Sequence, residues 1–497
     1  MKRWILIVSV LLAAVACKKS EIVPPDTEDP TPQPSKNENE LIADSVFLFS
    51  KEIYYWQDKI GSVTYDMFNP LQYLKPEALN TAKAVIGAVR NYNEWDKAKG
   101  YSYAENYSGD GASSKAAMVE FSYGFDVKPA WKTRTPDAPI AANFEGWYVS
   151  YVYPDSDAGK KGVQRGMKLL SVDGTPMGNT AAAVAILNNM LYYETLKSVN
   201  AQFLKPNGDT LQVNISITSF VPNSLLYASI FTTPKSKKVG YLVYNFFDRL
   251  SDSKAQLDSL FNAFRAQHLD AVVIDLRYNR GGYTETQDYL TNHVASLSAH
   301  NKLMYRYHFN SNLQTGNYTA LKTRYPASRV FALDYASNNI KFNTLTSLNT
   351  DKIYIITSNE TASSSELFIN NLKPQLGEKL VLIGDDVTRG KPVGFFPIHL
   401  FKKVTFWTVS FMTKNGQDEA VPYEGFVPDY LVYDAVDRPW GDVSEECLSA
   451  AIKLVDGLEV PRSSHLIVPS RSTIPSPHSQ RLRKERMTDN MLLMREE

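Results

Sequence analysis

Residues 352–374 read KIYIITSNETASSSELFINNLKP. The opening run is apolar and β-rich, while ELFINNL, closed by Lys373-Pro374, has the make-up of a helix. A strand therefore feeds a helix through the turn that holds Ser363, Ser364 and Ser365. Ser363 and Glu366 have the Ser-x-x-Glu spacing of a capping box, in which each side chain satisfies a backbone donor left open by the first helical turn. The same place suits a nucleophile, because helix N-terminal amides and the positive end of the helix dipole favour a developing oxyanion. The nearest histidines are His308 and His399, so a serine acting here needs a different base.

Outward from that turn the alternation repeats. KKVGYLVYNFF (237–247) reads as a strand, and SKAQLDSLFNAFRAQ (253–267) places Leu257, Leu260, Phe261 and Phe264 on one helical face. LDAVVIDLRYNRGG (269–282) is a buried strand running into a glycine turn, and KLVLIG (379–384) is another strand. Strands alternating with helices predict a layered α/β core with mostly parallel pairing, whose strand ends are the favoured place for a site. Two of those ends carry unusual residues. Asn279, Arg280, Gly281 and Gly282 follow one strand, and paired glycines let backbone amides approach a ligand closely. TRGKPVG (388–394) places Lys391 in a tight turn stiffened by Pro392. Desolvation there lowers an ammonium pKa, and a neutral lysine amine can take a serine's proton.

Two blocks precede this core at 225–457. Residues 41–112 read as a small helical region, from ELIADSVFLFSKEIYYWQDKI and EALNTAKAVIGAVRNY, with no evident chemistry. Residues 113–221 read as strand, short helix near Asp157–Gly162, strand KLLSVDG, helix NTAAAVAILNNMLYY and a hairpin through KPNGDT.

The chain of 497 residues is 43% hydrophobic and 21% charged, with 53 basic and 53 acidic residues. That balance leaves no electrostatic footprint for nucleic acid. The start, MKRWILIVSVLLAAVAC, has Lys2 and Arg3 before an apolar run too short to span a membrane, then small residues before Cys17. Residues 18–40 and 458–497 are rich in Pro, Ser and charge and read as a disordered tether and tail. Cys447 is the one other cysteine, so no disulfide within the mature chain is expected.

GYLVYNFF, DLRYNRGG, TASSSEL, TRGKPVG and GFVPDYLV (425–432), in this order and spacing, resemble the C-terminal processing peptidases, tail-specific serine proteases with a Ser–Lys dyad. The resemblance implies a crotonase-like α/β peptidase core within an α/β multidomain chain. It makes Ser363 the nucleophile and Lys391 the general base, with oxyanion donors at the Ser364 amide and at Gly282 or Gly281. It implies polypeptide tails as substrates and no cofactor or metal. Some members carry a glutamine four residues after the lysine to orient its amine, where this chain has Phe395. Residues 113–221 resemble a PDZ domain at Ser156, Ala158, Gly162, Gly166, Val172, Asp173 and Gly174, departing at Asp157 and Met167; such domains add a peptide C-terminus to a sheet edge. Residues 1–17 look like a bacterial lipoprotein signal, which implies lipid on Cys17 and a cell-envelope location on either membrane face; Ala14 stands where leucine is usual.

Other chemistries fit less well. GDDVTRGKP is one residue too long between glycines for a phosphate loop, and Pro392 stands where Ser or Thr would hold magnesium. The histidines show no H-E-x-x-H pattern. The alternative from another class is an inactive, peptidase-like lipoprotein that binds polypeptide C-termini, against which the presence of both Ser363 and Lys391 argues.

Overall fold

Strands buried along nearly their whole length build a sheet with two apolar faces. The computed structural model describes residues 36–107, 120–132, 143–191, 194–324, 338–350, 352–462 and 487–488. The stretch read as a signal, with Cys17, and most of the stretches 18–40 and 458–497 read as tether and tail lie outside them. Strands Leu225–Thr232, Lys238–Tyr244, Ala271–Asp275, Lys352–Thr357, Leu380–Gly384 and Tyr430–Leu431 form one sheet in that order. Only the first pair is antiparallel. Leu242, Val272, Ile274, Ile353 and Ile355 face one apolar cluster, and Tyr241, Val243, Val273, Tyr354 and Ile356 face another. Successive side chains on a strand point to opposite faces, so a sheet covered on both sides reads as a continuous apolar run. Helices Leu250–Ala266, Thr284–Val294 and Ser364–Leu376 cover the first face, and Glu446–Val455 covers the second. The expected mixed α/β architecture is the one observed.

The helix after the serines does not end at Pro374 as expected; it runs on to Leu376. Proline lacks the N–H that would serve the carbonyl four residues back, here that of Asn370. The Asn415 side-chain amide donates to that carbonyl instead, at 3.1 Å.

A second sheet, not read from the sequence, centres on the hairpin Val393–Leu400 and Val404–Asn415. Strand Leu303–Phe309 and the N-terminal strand Tyr103–Asn106 pair with its long arm. Helices Glu38–Ile53 and Ala78–Arg90 share one apolar cluster with these strands, so the N-terminal helical region packs as part of the α/β core. The first helix starts at Glu38, inside the stretch read as tether, because Asn37 and Glu40 cap it reciprocally.

Residues 120–220 have their own sheet, in the order Phe125–Trp131, Phe144–Val152, Lys168–Val172, Ser198–Leu204 and Thr210–Ser216, with helices Asp157–Lys160 and Ala181–Leu191. Its apolar cluster takes in Tyr433 and Ala435, which seats the block on the core. In the tail, Met487–Thr488 pair as a short strand with Gly282–Tyr283.

Candidate active site

Four hydroxyls of the serine turn stitch it to the segment that leads into the glycine pair. Thr361 Oγ1 donates to the Leu276 carbonyl at 2.9 Å, and Ser358 Oγ donates to that of Arg277. Ser364 Oγ donates to the Gly282 carbonyl at 2.7 Å, and Ser365 Oγ to that of Asn279 at 3.0 Å. Ser363 stands apart. It is fully buried, and its Oγ has no hydrogen-bond partner. Its backbone sits at φ +60°, ψ −118°, a region that costs a non-glycine residue on the order of 1–3 kcal/mol. Surrounding bonds hold it there: Leu367 N donates to the Ser363 carbonyl at 2.8 Å, and Ser363 N donates to Glu366 Oε2 at 3.0 Å. The capping box is thus half made. Glu366 caps the serine amide, while the serine hydroxyl is left out of the helix start, at the mouth of its first turn.

Glu366 is the residue whose full role the sequence reading missed. Its buried carboxylate accepts from Ser363 N and Lys391 N on Oε2, and from Gly390 N and Thr388 Oγ1 on Oε1. With Lys391 N at 2.9 Å from the same oxygen, the two backbone nitrogens lie within about 6 Å of each other. Burial pushes the Glu366 carboxyl above the usual glutamate range, against the pull of these donors. Arg389 N also donates to the Thr361 carbonyl at 2.9 Å, which locks the lysine turn to the serine turn a second time.

The N-terminal region closes the other side of the lysine turn. Tyr101 donates its hydroxyl to the Gly390 carbonyl, and Lys99 Nζ donates to that of Arg389 at 3.0 Å. Gly390 has φ +75°, and a Cβ there would sit 2.0 Å from the Tyr423 carbonyl oxygen, so only glycine fits. Lys391 is 1% exposed, and its Nζ lies 4.4 Å from the centre of the Phe395 ring. Ser363 Oγ and Lys391 Nζ are not hydrogen-bonded to one another. In ligand-free sites catalytic bonds are often long and tighten only around substrate.

The glycine pair lies against the serine. A Cβ on Gly281 would come within 2.8 Å of Ser363 Cβ and 3.0 Å of Ser364 N, so the close approach needs glycine. The Gly281 amide is already given to Asn279 Oδ1 at 2.9 Å, and the Asn279 side chain is anchored on the Tyr244 carbonyl. Behind the turn, Glu360 pairs with Arg280 at 2.8 Å and with Lys128 of the 120–220 block at 2.5 Å. Arg165 of that block donates to Tyr278 Oη at 2.8 Å and pairs with Asp434, which Arg277 also holds. The serine, glycine and lysine turns are therefore brought together around Ser363. Among the described residues, no group of three or more His, Cys, Asp or Glu side chains is placed to hold a metal ion.

Residues 238–432 match the model of peptidase family S41. Over 86% of this chain and 100% of the other, the fold is similar to a crystal structure assigned to an S41 protease of Bacteroides fragilis NCTC 9343, with TM-score 0.61 and 20% identity. It is also similar to the photosystem II D1 C-terminal processing protease, over 79% of this chain and 93% of that one, with TM-score 0.45 and 14% identity. Mature CPAF complexed with lactacystin matches over 84% of this chain and 98% of its own, with TM-score 0.49 and 11% identity. No curated protein matches the chain. The segment that carries the serine, glycine and lysine turns, residues 238–432, is a peptidase family S41 domain, and this supports a protease function.

Proposed function

We propose that this protein is a serine endopeptidase that cuts polypeptides near their C-termini through an acyl-enzyme on Ser363, with Lys391 as general base. One observation carries the reading: a buried, strained serine with a free hydroxyl sits at a helix start, its amide held by the same carboxylate oxygen as the amide of a buried lysine. A purely structural serine at this turn would bond its neighbours, as Ser364 and Ser365 do. In this mechanism Ser363 Oγ attacks the scissile carbonyl and its proton passes to the neutral Lys391 amine. The oxyanion meets the Ser364 amide and an amide of the glycine pair; Gly282 suits better, since that of Gly281 serves Asn279. The leaving amine takes the proton from Lys391. Water, deprotonated by Lys391, then hydrolyses the ester and restores the serine.

The 120–220 block, joined to the site through Lys128 and Arg165, is read as a PDZ-like module that presents an extended tail. The test uses protein lacking the first 35 residues and an unfolded polypeptide ending in an apolar tail. Wild type yields fragments cut near the C-terminus, and Ser363→Ala yields at most traces of them over the same incubation. A wild type that binds the tail and leaves it whole establishes the binding-only alternative.

Cys17 is proposed as the lipid attachment point, from the signal-like run before it. Radiolabelled palmitate fed to expressing bacteria labels the wild type and places it in the membrane fraction. Label persisting in Cys17→Ser overturns that assignment.

A further inference from the structure

The position that departs from the glutamine pattern is not an empty one. The Phe395 ring faces Lys391 Nζ at 4.4 Å from its centre, well inside the range at which a ring face attracts an ammonium. The ring itself is immobilised. Phe395 is fully buried, with Tyr103 edge-on at 5.8 Å and 87° and Trp407 edge-on at 6.5 Å and 79°. A bulge between Gly394 and Phe395 interrupts the pairing with Val404–Asn415 at this point, and a bulge re-aims the side chain beside it. Other groups pack around the same turn: Glu366 from the helix, Arg389 within the turn, and Lys99 and Tyr101 from the N-terminal region. Glu366 spends its Oε2 on the backbone amide of Lys391, and Lys99 and Arg389 add positive charge nearby.

We propose that Phe395 is the positioning residue of Lys391: its ring face receives the ammonium in the free enzyme and fixes the direction in which the amine is held. The inference rests on Lys391 as general base and adds what orients it. An amide oxygen in that place would accept a hydrogen bond from the amine in either charge state. A ring face attracts chiefly the cation, so the ring opposes loss of the proton. The base therefore comes into play on the alkaline side, and weakening the ring's negative face moves that threshold to lower pH.

The experiment replaces Phe395 by phenylalanines carrying progressively more ring fluorine, which drains the face of negative charge with little change of shape. The acid limb of the kcat/KM profile moves to lower pH in steps, by roughly 0.5–1 unit in all. A ring that only fills space leaves the limb unmoved at every fluorine count, and that result overturns the proposal. A second readout does not need activity: the titration of Lys391, followed by its isotope-labelled Cε resonance and assigned by its loss in Lys391→Met. A titration that moves with fluorine while no cleavage occurs supports the ring contact and sinks the general-base reading. A titration indifferent to fluorine sinks the ring contact itself.

Discussion

Ser363→Ala and Lys391→Ala each lower kcat by roughly 10³-fold or more, and the double variant is no slower than Ser363→Ala alone. The reason is that the two groups act as one unit. Without the hydroxyl, the amine has no proton to take; without the amine, the hydroxyl stays a weak nucleophile. Residual turnover comes from substrate held against the oxyanion donors, which neither substitution removes. Lys391→Arg separates chemistry from charge. A guanidinium keeps the positive charge but does not give up its proton in a protein, so this variant is as slow as the alanine one. KM changes little in all of them, because neither side chain is needed to seat the peptide. Initial rates on one fluorogenic peptide decide it. Multiplying losses in the double variant, or an active Lys391→Arg, would show that Ser363 and Lys391 do not share a proton.

Much of this site is legible in the chain because its parts are local. KIYIITS, the serine turn and ELFINNL follow one another, so period and capping chemistry place Ser363 at a strand-to-helix junction. LDAVVIDLRYNRGG reads the same way; its glycine pair reads as a place where amides approach a ligand, and in the structure Gly281 packs directly against Ser363. The second sheet is not legible, for a physical reason. Strand Val404–Asn415 is buried along nearly its whole length, so it shows no alternation. Its partner Tyr103–Asn106 is four residues long and lies far away in sequence, among helices. Glu366 fails differently. Ser-x-x-Glu announces its bond to the Ser363 amide, but nothing local announces that the same carboxylate also holds Gly390 and Lys391. Pro374 reads as a stop because the residue that rescues the carbonyl it strands, Asn415, belongs to another sheet.

Glu366→Ala is the substitution with the largest expected effect on stability, and it removes activity with it. The carboxylate accepts from Ser363 N, Lys391 N, Gly390 N and Thr388 Oγ1, all in a site closed to bulk water. Stripping the acceptor from a buried charged network costs about 3–5 kcal/mol, since the donors keep their desolvation penalty and lose their bonds. The strained φ of Ser363 loses its restraint at the same time, so the serine and lysine turns drift apart. Glu366→Gln discriminates between shape and charge. Its amide nitrogen turns toward Thr388, whose hydroxyl can accept as well as donate, and its oxygen stays on the Ser363 and Lys391 amides. Only the Gly390 amide is left facing a donor. The glutamine variant therefore folds with a loss of about 1–3 kcal/mol and keeps measurable turnover. The pH dependence follows from the raised Glu366 pKa: the folded state holds this proton more tightly than the unfolded chain. Stability contributed by that difference is present at low pH and is lost as pH rises from the ordinary glutamate value through the raised one. Glu366→Gln removes the slope in that window. Urea unfolding of the three proteins across mildly acidic pH, paired with turnover at one alkaline pH, checks every part. An alanine variant as stable and as fast as wild type would mean that the serine and lysine turns are held together by something other than this carboxylate.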